Sequence, residues 1–272
     1  MSASSYTFDG PDPDVIFRTP LQPGSDEFKD FHVHKLILSI ASTVFYDMFS
    51  IPQPPHNASE EIVLDVVQVA EPAKVFETFL LLIYPVNPPV IEDLQLVGDL
   101  FQLADKYMVK GVASKLKKRL ISPSFLRDNP IGVFAIACRN NLDEEAKLAL
   151  SHTFSIDVIS QISDKHLQTM TARTYHRLLA EHALRRKELM SAVDSALASR
   201  VWKPCHCALK LKKEIHLEIS GRPFIDREIL GECLSSVSGQ NARCGGHESY
   251  CILAPGEGSV LLSNIMGRIQ AR

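Results

Sequence analysis

The residues best suited to chemistry lie near the C-terminus. Cys205-His206-Cys207 is followed, after 36 intervening residues, by Cys244-Gly245-Gly246-His247, and then, after three more, by Cys251. Two close pairs of soft ligands separated by a long excursion match the logic of a structural zinc site, which takes four sulfur or nitrogen ligands in a tetrahedron. A metal there would hold together a region with little core of its own. The expected set is Cys205, Cys207, Cys244 and His247, with Cys251 as the substitute and one structural zinc as the cofactor. The competing reading is a tail of reduced, partly buried thiols. Cys205-x-Cys207 has one intervening residue where zinc sites usually have two, and the spacing leaves both readings open.

Other pairings carry less. His32 and His34 are two apart and share a face if the segment is a strand, yet no further ligand clusters near them. A cysteine nucleophile with a histidine base can be drawn from Cys244 and His247, as it can in almost any chain with six Cys and ten His. There is no phosphate-binding glycine loop, no G-x-S-x-G, no H-E-x-x-H and no kinase set. No catalytic residue is therefore expected, and the chain is not read as an enzyme. A DNA-reading zinc finger is also excluded by spacing. Lys210, Lys212 and Lys213 read as a solvated strand edge.

Composition narrows the classes further. Of 272 residues, 45% are apolar and 22% charged, as in an ordinary globular protein. The net charge of −3 argues against a nucleic-acid partner. No apolar run reaches the roughly 20 residues that span a bilayer, and Met1 to Asp14 has neither a basic n-region nor an apolar h-region. The expected location is the cytosol or nucleus, where thiols stay reduced or bind metal.

The elements that would position these residues follow from periodicity. Asp14 to Arg18 reads as a strand after Pro11-Asp12-Pro13, and Phe31 to Val33 as its hairpin partner. Short helices are expected over His34–Ile40 and Thr43–Phe49, with Ser42 able to cap the second. Ile51 to Glu61 is Pro-rich and reads as a loop, and Ile62 to Leu64 as a third strand. Helices follow over Pro72–Tyr84, Leu94–Lys106 and Val109–Ile121, each with one apolar face. Pro123 to Pro130 reads as a boundary. Further helices are expected over Ile131–Arg139, Leu142–Phe154 and Thr174 to about Arg200. A new region opens at Trp202, the only tryptophan, expected to anchor the tail. Cys233 and Cys138 read as core.

Five segments, taken in order, carry a family resemblance. They are Asp14-Val15-Ile16-Phe17, Phe31-His32-Val33-His34-Lys35-Leu36-Ile37-Leu38, Ser42 to Phe49, Phe79-Leu80-Leu81-Leu82-Ile83-Tyr84, and Leu103-Ala104-Asp105-Lys106-Tyr107-Met108-Val109. Residues 14–121 resemble a BTB (POZ) domain. The resemblance implies an α+β fold, a helical cluster capped by a small sheet, followed by a helical extension and a small α/β cysteine-containing tail. The expected divisions are a flexible N-terminus over 1–13, the BTB/POZ domain over 14–121, the extension over 124–200 and the tail over 201–272. The whole arrangement is similar to a large fungal family of BTB proteins.

The same resemblance implies function. Asp14 and Lys35 match a charged pair that lines a groove in many BTB dimers; the alternative is that both are simply solvated. Phe45, Met48 and Phe49 join them as the expected partner-binding residues. His34 matches a packing residue of the family. The implied role is a protein–protein interaction module, a scaffold or adaptor that binds protein partners, itself included. Two alternatives are a substrate adaptor of a cullin ubiquitin ligase and a transcriptional regulator acting through protein partners. Ile51-Pro52-Gln53-Pro54-Pro55 lacks the apolar-x-acid motif of many cullin adaptors. Residues 1–13 lack the swapped helix of many BTB dimers.

Overall fold

The structure is a computed structural model that describes residues 6–8, 10–51, 64–198, 206–239 and 257–270. It divides into two compact units between Phe125 and Leu126.

In the first unit, β1 (Val15–Pro20) is the centre of a three-stranded sheet of order β2-β1-β3. It pairs antiparallel with β2 (Phe28–Val33), Phe17 opposite Phe31, and parallel with β3 (Asp65–Gln68), Phe17 opposite Val67. Alternation puts Val15 and Phe17 of β1 and Phe31 and Val33 of β2 on one buried face. Against that face pack α2 (Thr43–Ser50) and α3 (Ala73–Ile83), while α1 (Lys35–Ala41) packs on both of these helices and α4 (Leu94–Lys106) and α5 (Lys110–Leu120) pack on α3 and on each other. The centre is aromatic. Phe17 lies 5.6 Å from Phe45 and 5.3 Å from Phe76, and Phe45 stacks on Tyr107 at 4.7 Å.

Helix ends follow the sequence closely. The Ser42 hydroxyl accepts from Phe45 N at 3.0 Å and donates to Tyr107 O at 2.5 Å, so it caps α2 and ties it to the end of α4. Asp93 caps α4 through Gln95 N at 2.9 Å. After α4, Met108 takes a positive φ of 52°, and Val109 N reaches back to Ala104 O at 2.8 Å. This is the Schellman turn that glycine usually completes.

Two expectations need correction here. The third strand is Asp65–Gln68, beyond the expected Ile62–Leu64; residues 62 and 63 lie outside the described set, and Leu64 is not in a strand. The N-terminal segment expected to be flexible is docked at Tyr6 and Phe8. Phe8 is buried, edge-on to Phe31 (5.6 Å) and Tyr84 (5.3 Å), and its carbonyl accepts from His32 N at 3.2 Å.

The second unit is helical over its described residues. The short α6 (Pro123–Asp128) carries the division between units. Asn129 caps α7 (Pro130–Arg139) through Gly132 N, and every residue from Pro130 to Ala137 is buried. Next come α8 (Asp143–Thr153), α9 (Val158–Gln161), α10 (Asp164–Thr169) and the long α11 (Ala172–Leu197). The described tail consists of α12 (His206–Gly221), α13 (Arg227–Gly239) and α14 (Glu257–Gln270), with no strand among them. The expected α/β tail is thus helical where it is described. Leu211, Ile215 and Ile219 recur every four residues and are buried, while Leu209 and Leu217 stay exposed; the helical period wins over the apparent alternation. These helices share one apolar core with Leu189, Ala192, Val193 and Ala196 of α11. Among the described residues, no helix is long and apolar enough to cross a membrane.

Candidate partner-binding site

The start of α1 gathers most of the expected site. Asp14, just before β1, accepts from Lys35 N at 2.6 Å through Oδ1. It thereby supplies the N-terminal cap that the His34 side chain does not, and places a negative charge at the positive end of the helix. Asp14 and Lys35 therefore meet through a backbone amide. The Lys35 ammonium turns instead to Asp65 of β3 at 2.8 Å and sits 5.9 Å from the centre of the Phe49 ring. Lys35 and Asp65 keep about a third of their side chains exposed, so their pair contributes little stability and mainly fixes position.

Phe45 does not belong to an open surface. It is fully buried between Phe17, Phe49 and Tyr107, and its expected role as a partner contact gives way to a core role. Helix α2 turns this position inward because it follows the Ser42 cap by three residues, on the face that meets α4. Met48 and Phe49 are partly exposed. Phe49 stacks on Phe45 at 6.1 Å and stands at the rim of the core.

Residues that were not singled out in sequence present more apolar surface. Leu36 is 71% exposed and Ile40 79% exposed, one turn apart on α1, while Leu38 on the opposite side is fully buried. Tyr46 of α2 and Met108 are also exposed. The signal was available: Lys35-Leu36-Ile37-Leu38-Ser39-Ile40 is apolar on nearly every side. Such a helix, if it is not buried in its own fold, has a face left for another molecule.

His32 and His34 do not form a metal pair. The two nitrogens of His34 are engaged by the Tyr84 hydroxyl (3.3 Å) and Pro11 O (3.1 Å). Burial pushes the Tyr84 phenol up to about 12, so it stays a neutral hydroxyl able to serve both His34 atoms. Glu71 is similarly structural, accepting from Lys106 and from the Tyr107 hydroxyl.

In the tail, only Cys207 of the expected zinc set is described. Its side chain is 1% exposed within the apolar core around α12. Cys205, Cys244, His247 and Cys251 lie outside the described residues, as does Trp202. Among the described residues, no group of three or more His, Cys, Asp or Glu side chains is placed to hold a metal. Cys233 is core, its thiol raised to about 11 by burial, with Glu218, Glu214 and Glu232 adding to the shift. Cys138 is half-buried, and its thiol is raised, mainly by burial.

No curated protein matches the chain. A family profile does, over residues 25–124, covering β2 through the start of α6. Strand β1 precedes the matched span, yet it is the central strand of the sheet to which β2 belongs. The ordered segments read from the sequence, the capped sheet and the paired helices α1–α2 and α4–α5 agree with that match. Residues 25–124 of this chain are a BTB/POZ domain, a module for protein–protein interaction.

Proposed function

We propose that the chain is an interaction scaffold whose BTB/POZ domain self-associates through the exposed apolar face of α1. The observation that carries this reading is the pair Leu36 and Ile40, one turn apart and more than two-thirds exposed. A symmetric interface uses the same patch twice. Four large aliphatic side chains would then leave water, contributing on the order of 6–12 kcal/mol. Association itself costs about 4–15 kcal/mol in lost freedom. The two are comparable, so the assembly is a concentration-dependent one.

The helical second unit presents further surface to protein partners under this reading, and the chain has a binding role without a catalytic one, in the cytosol or nucleus. Cullin recruitment is not part of the proposal, because Ile51 to Pro55 carries no adaptor motif. The test is light scattering on the full chain over a wide concentration range. A mass rising above that of one chain supports the scaffold reading. A strict monomer at the highest concentration ends its self-association half.

A further inference from the structure

A second surface of the domain has both shape and charge. The end of α3, the segment Pro88–Ile91 and α5 enclose a cavity of about 310 Å³. Its walls are apolar, formed by Leu82, Pro88, Pro89, Ile91 and Leu116, with the 82%-exposed Val90 at its mouth. The two prolines have fixed backbone angles, so this wall loses little entropy on binding. Two cations stand on the opposite wall. Lys115 Nζ donates to Leu82 O at 2.7 Å, and Arg119 Nε donates to Ile91 O at 2.6 Å, with the guanidinium 4.4 Å over the Phe125 ring.

These contacts hold both side chains in place without neutralising them. Among the described residues, neither has an acidic partner. Glu92, exposed next to Ile91, pairs with neither. The surroundings add to the positive field: α5, Lys110–Leu120, also carries Lys110 and Lys118 and contains no acid, in a chain of net charge −3. A preformed apolar hollow with oriented, unneutralised donors at its rim is built for a ligand that is apolar at one point and anionic beside it.

We infer that this cavity docks an acidic peptide segment of a partner protein, an apolar side chain entering between Pro89 and Leu116 and its neighbouring carboxylates meeting Lys115 and Arg119. A membrane surface fits less well. The apolar face of α5 (Val112, Leu116, Leu120) is buried in the domain and cannot insert among lipids. Nucleic acid fits less well too, because the walls offer no exposed aromatic ring for a base. The inference rests on the domain being a binding module. It uses no residue of the α1 face, so it stands or falls separately from self-association.

The test is a peptide array in which an apolar anchor and its flanking charges are varied systematically, probed with the full chain. Expected is binding confined to peptides with a large apolar residue beside Asp or Glu, weakened by added salt. The substitutions Lys115→Glu and Val90→Glu, both at exposed positions, should each weaken it by about tenfold; Val90→Glu should leave thermal unfolding unchanged, while Lys115→Glu also loses the hydrogen bond to Leu82 O. Binding that ignores both substitutions, that follows basic flanks, or that is absent from the array overturns the inference. So does a Lys115-dependent association with phosphatidylserine vesicles in the absence of peptide binding, which would assign the surface to membranes. Light scattering on the same samples reports self-association independently.

Discussion

The Tyr84 hydroxyl accepts a hydrogen bond from His34 N at 2.9 Å and lies 3.3 Å from His34 Nδ1, joining the end of α3 to the start of α1 across 50 residues. Since Nε2 faces the carbonyl of Pro11, the consistent arrangement has Nε2 protonated and Tyr84 donating to Nδ1. One hydroxyl therefore orients the helix that carries Leu36 and Ile40. Tyr84→Phe removes it without creating a large cavity. A stability loss of about 1–3 kcal/mol is expected from the unpaired buried groups, measured by urea unfolding. An unchanged midpoint would contradict the role.

Phe45 should behave as core. Phe45→Ala is expected to cost about 3–5 kcal/mol, because the ring is fully buried between Phe17, Phe49 and Tyr107. The unfolding midpoint of the variant checks this. A folded variant of native stability that had lost only partner binding would restore Phe45 to the surface.

Met108 offers a change in the other direction. Its φ of 52° is the left-handed conformation that a side chain disfavours by about 1–2 kcal/mol. Met108→Gly relieves this, and the added flexibility of glycine offsets part of the gain. A net stabilisation of up to about 1 kcal/mol is expected in urea unfolding. A net loss would mean that the exposed Met108 side chain contributes packing of its own, for which the 3.7 Å approach of Thr43 Oγ1 to its sulfur is the nearest candidate.

Much of the first unit was legible because local and tertiary signals agree. Leu94–Lys106 has one apolar stripe and an Asp93 cap, and Ser42 sits at its expected cap. Ile62-Val63-Leu64 is the more apolar stretch and draws the sequence reading of the third strand to it; of the three, only Leu64 is described, and it lies outside the strand. The real strand is an edge strand whose Val66 is half exposed, and its position is set by pairing with β1 and by the Asp65–Lys35 ion pair. Phe8 carries no sequence signal because it stands alone in a polar segment, and only the fold supplies Phe31 and Tyr84 as neighbours. In α12, Ile215-His216-Leu217-Glu218-Ile219 fits both periods, and only the core around α11 decides between them. The site was partly legible: Lys35 and Asp14 meet, but the direction in which Phe45 and Leu36 point depends on packing.

Acid should weaken the second unit through His182. The Thr153 hydroxyl donates to Leu150 O at 2.6 Å and so accepts from His182 Nε2 at 2.9 Å. Burial, and then the positive charge of Arg186, lower His182 to about 4. An unfolded histidine titrates near 6.5. Between these values the unfolded chain binds a proton that the folded chain refuses. Stability is therefore full above about pH 6.5 and falls as pH drops toward 4, by at most about 3 kcal/mol. His166, also lowered by burial, adds to the trend. His182→Gln, which keeps a donor and cannot titrate, should flatten the pH profile of unfolding. A profile as steep as that of the native chain would remove His182 as its source.

The structural zinc stands as a proposal that metal analysis can decide. The expected set is Cys205, Cys207, Cys244 and His247, with Cys251 as the substitute. About one zinc per chain is expected, lost in Cys244→Ser. Metal-free native protein contradicts the zinc.

The central claim is that α1 is where this domain meets another copy. Sedimentation equilibrium of the full chain beside its Ile40→Glu variant tests it most directly. The account predicts a reversible dimer for the native chain and a monomer for the variant, with equal thermal stability, since Ile40 is 79% exposed and supports no core. A native chain that stays monomeric throughout, or a variant that associates as strongly as the native chain, would contradict it.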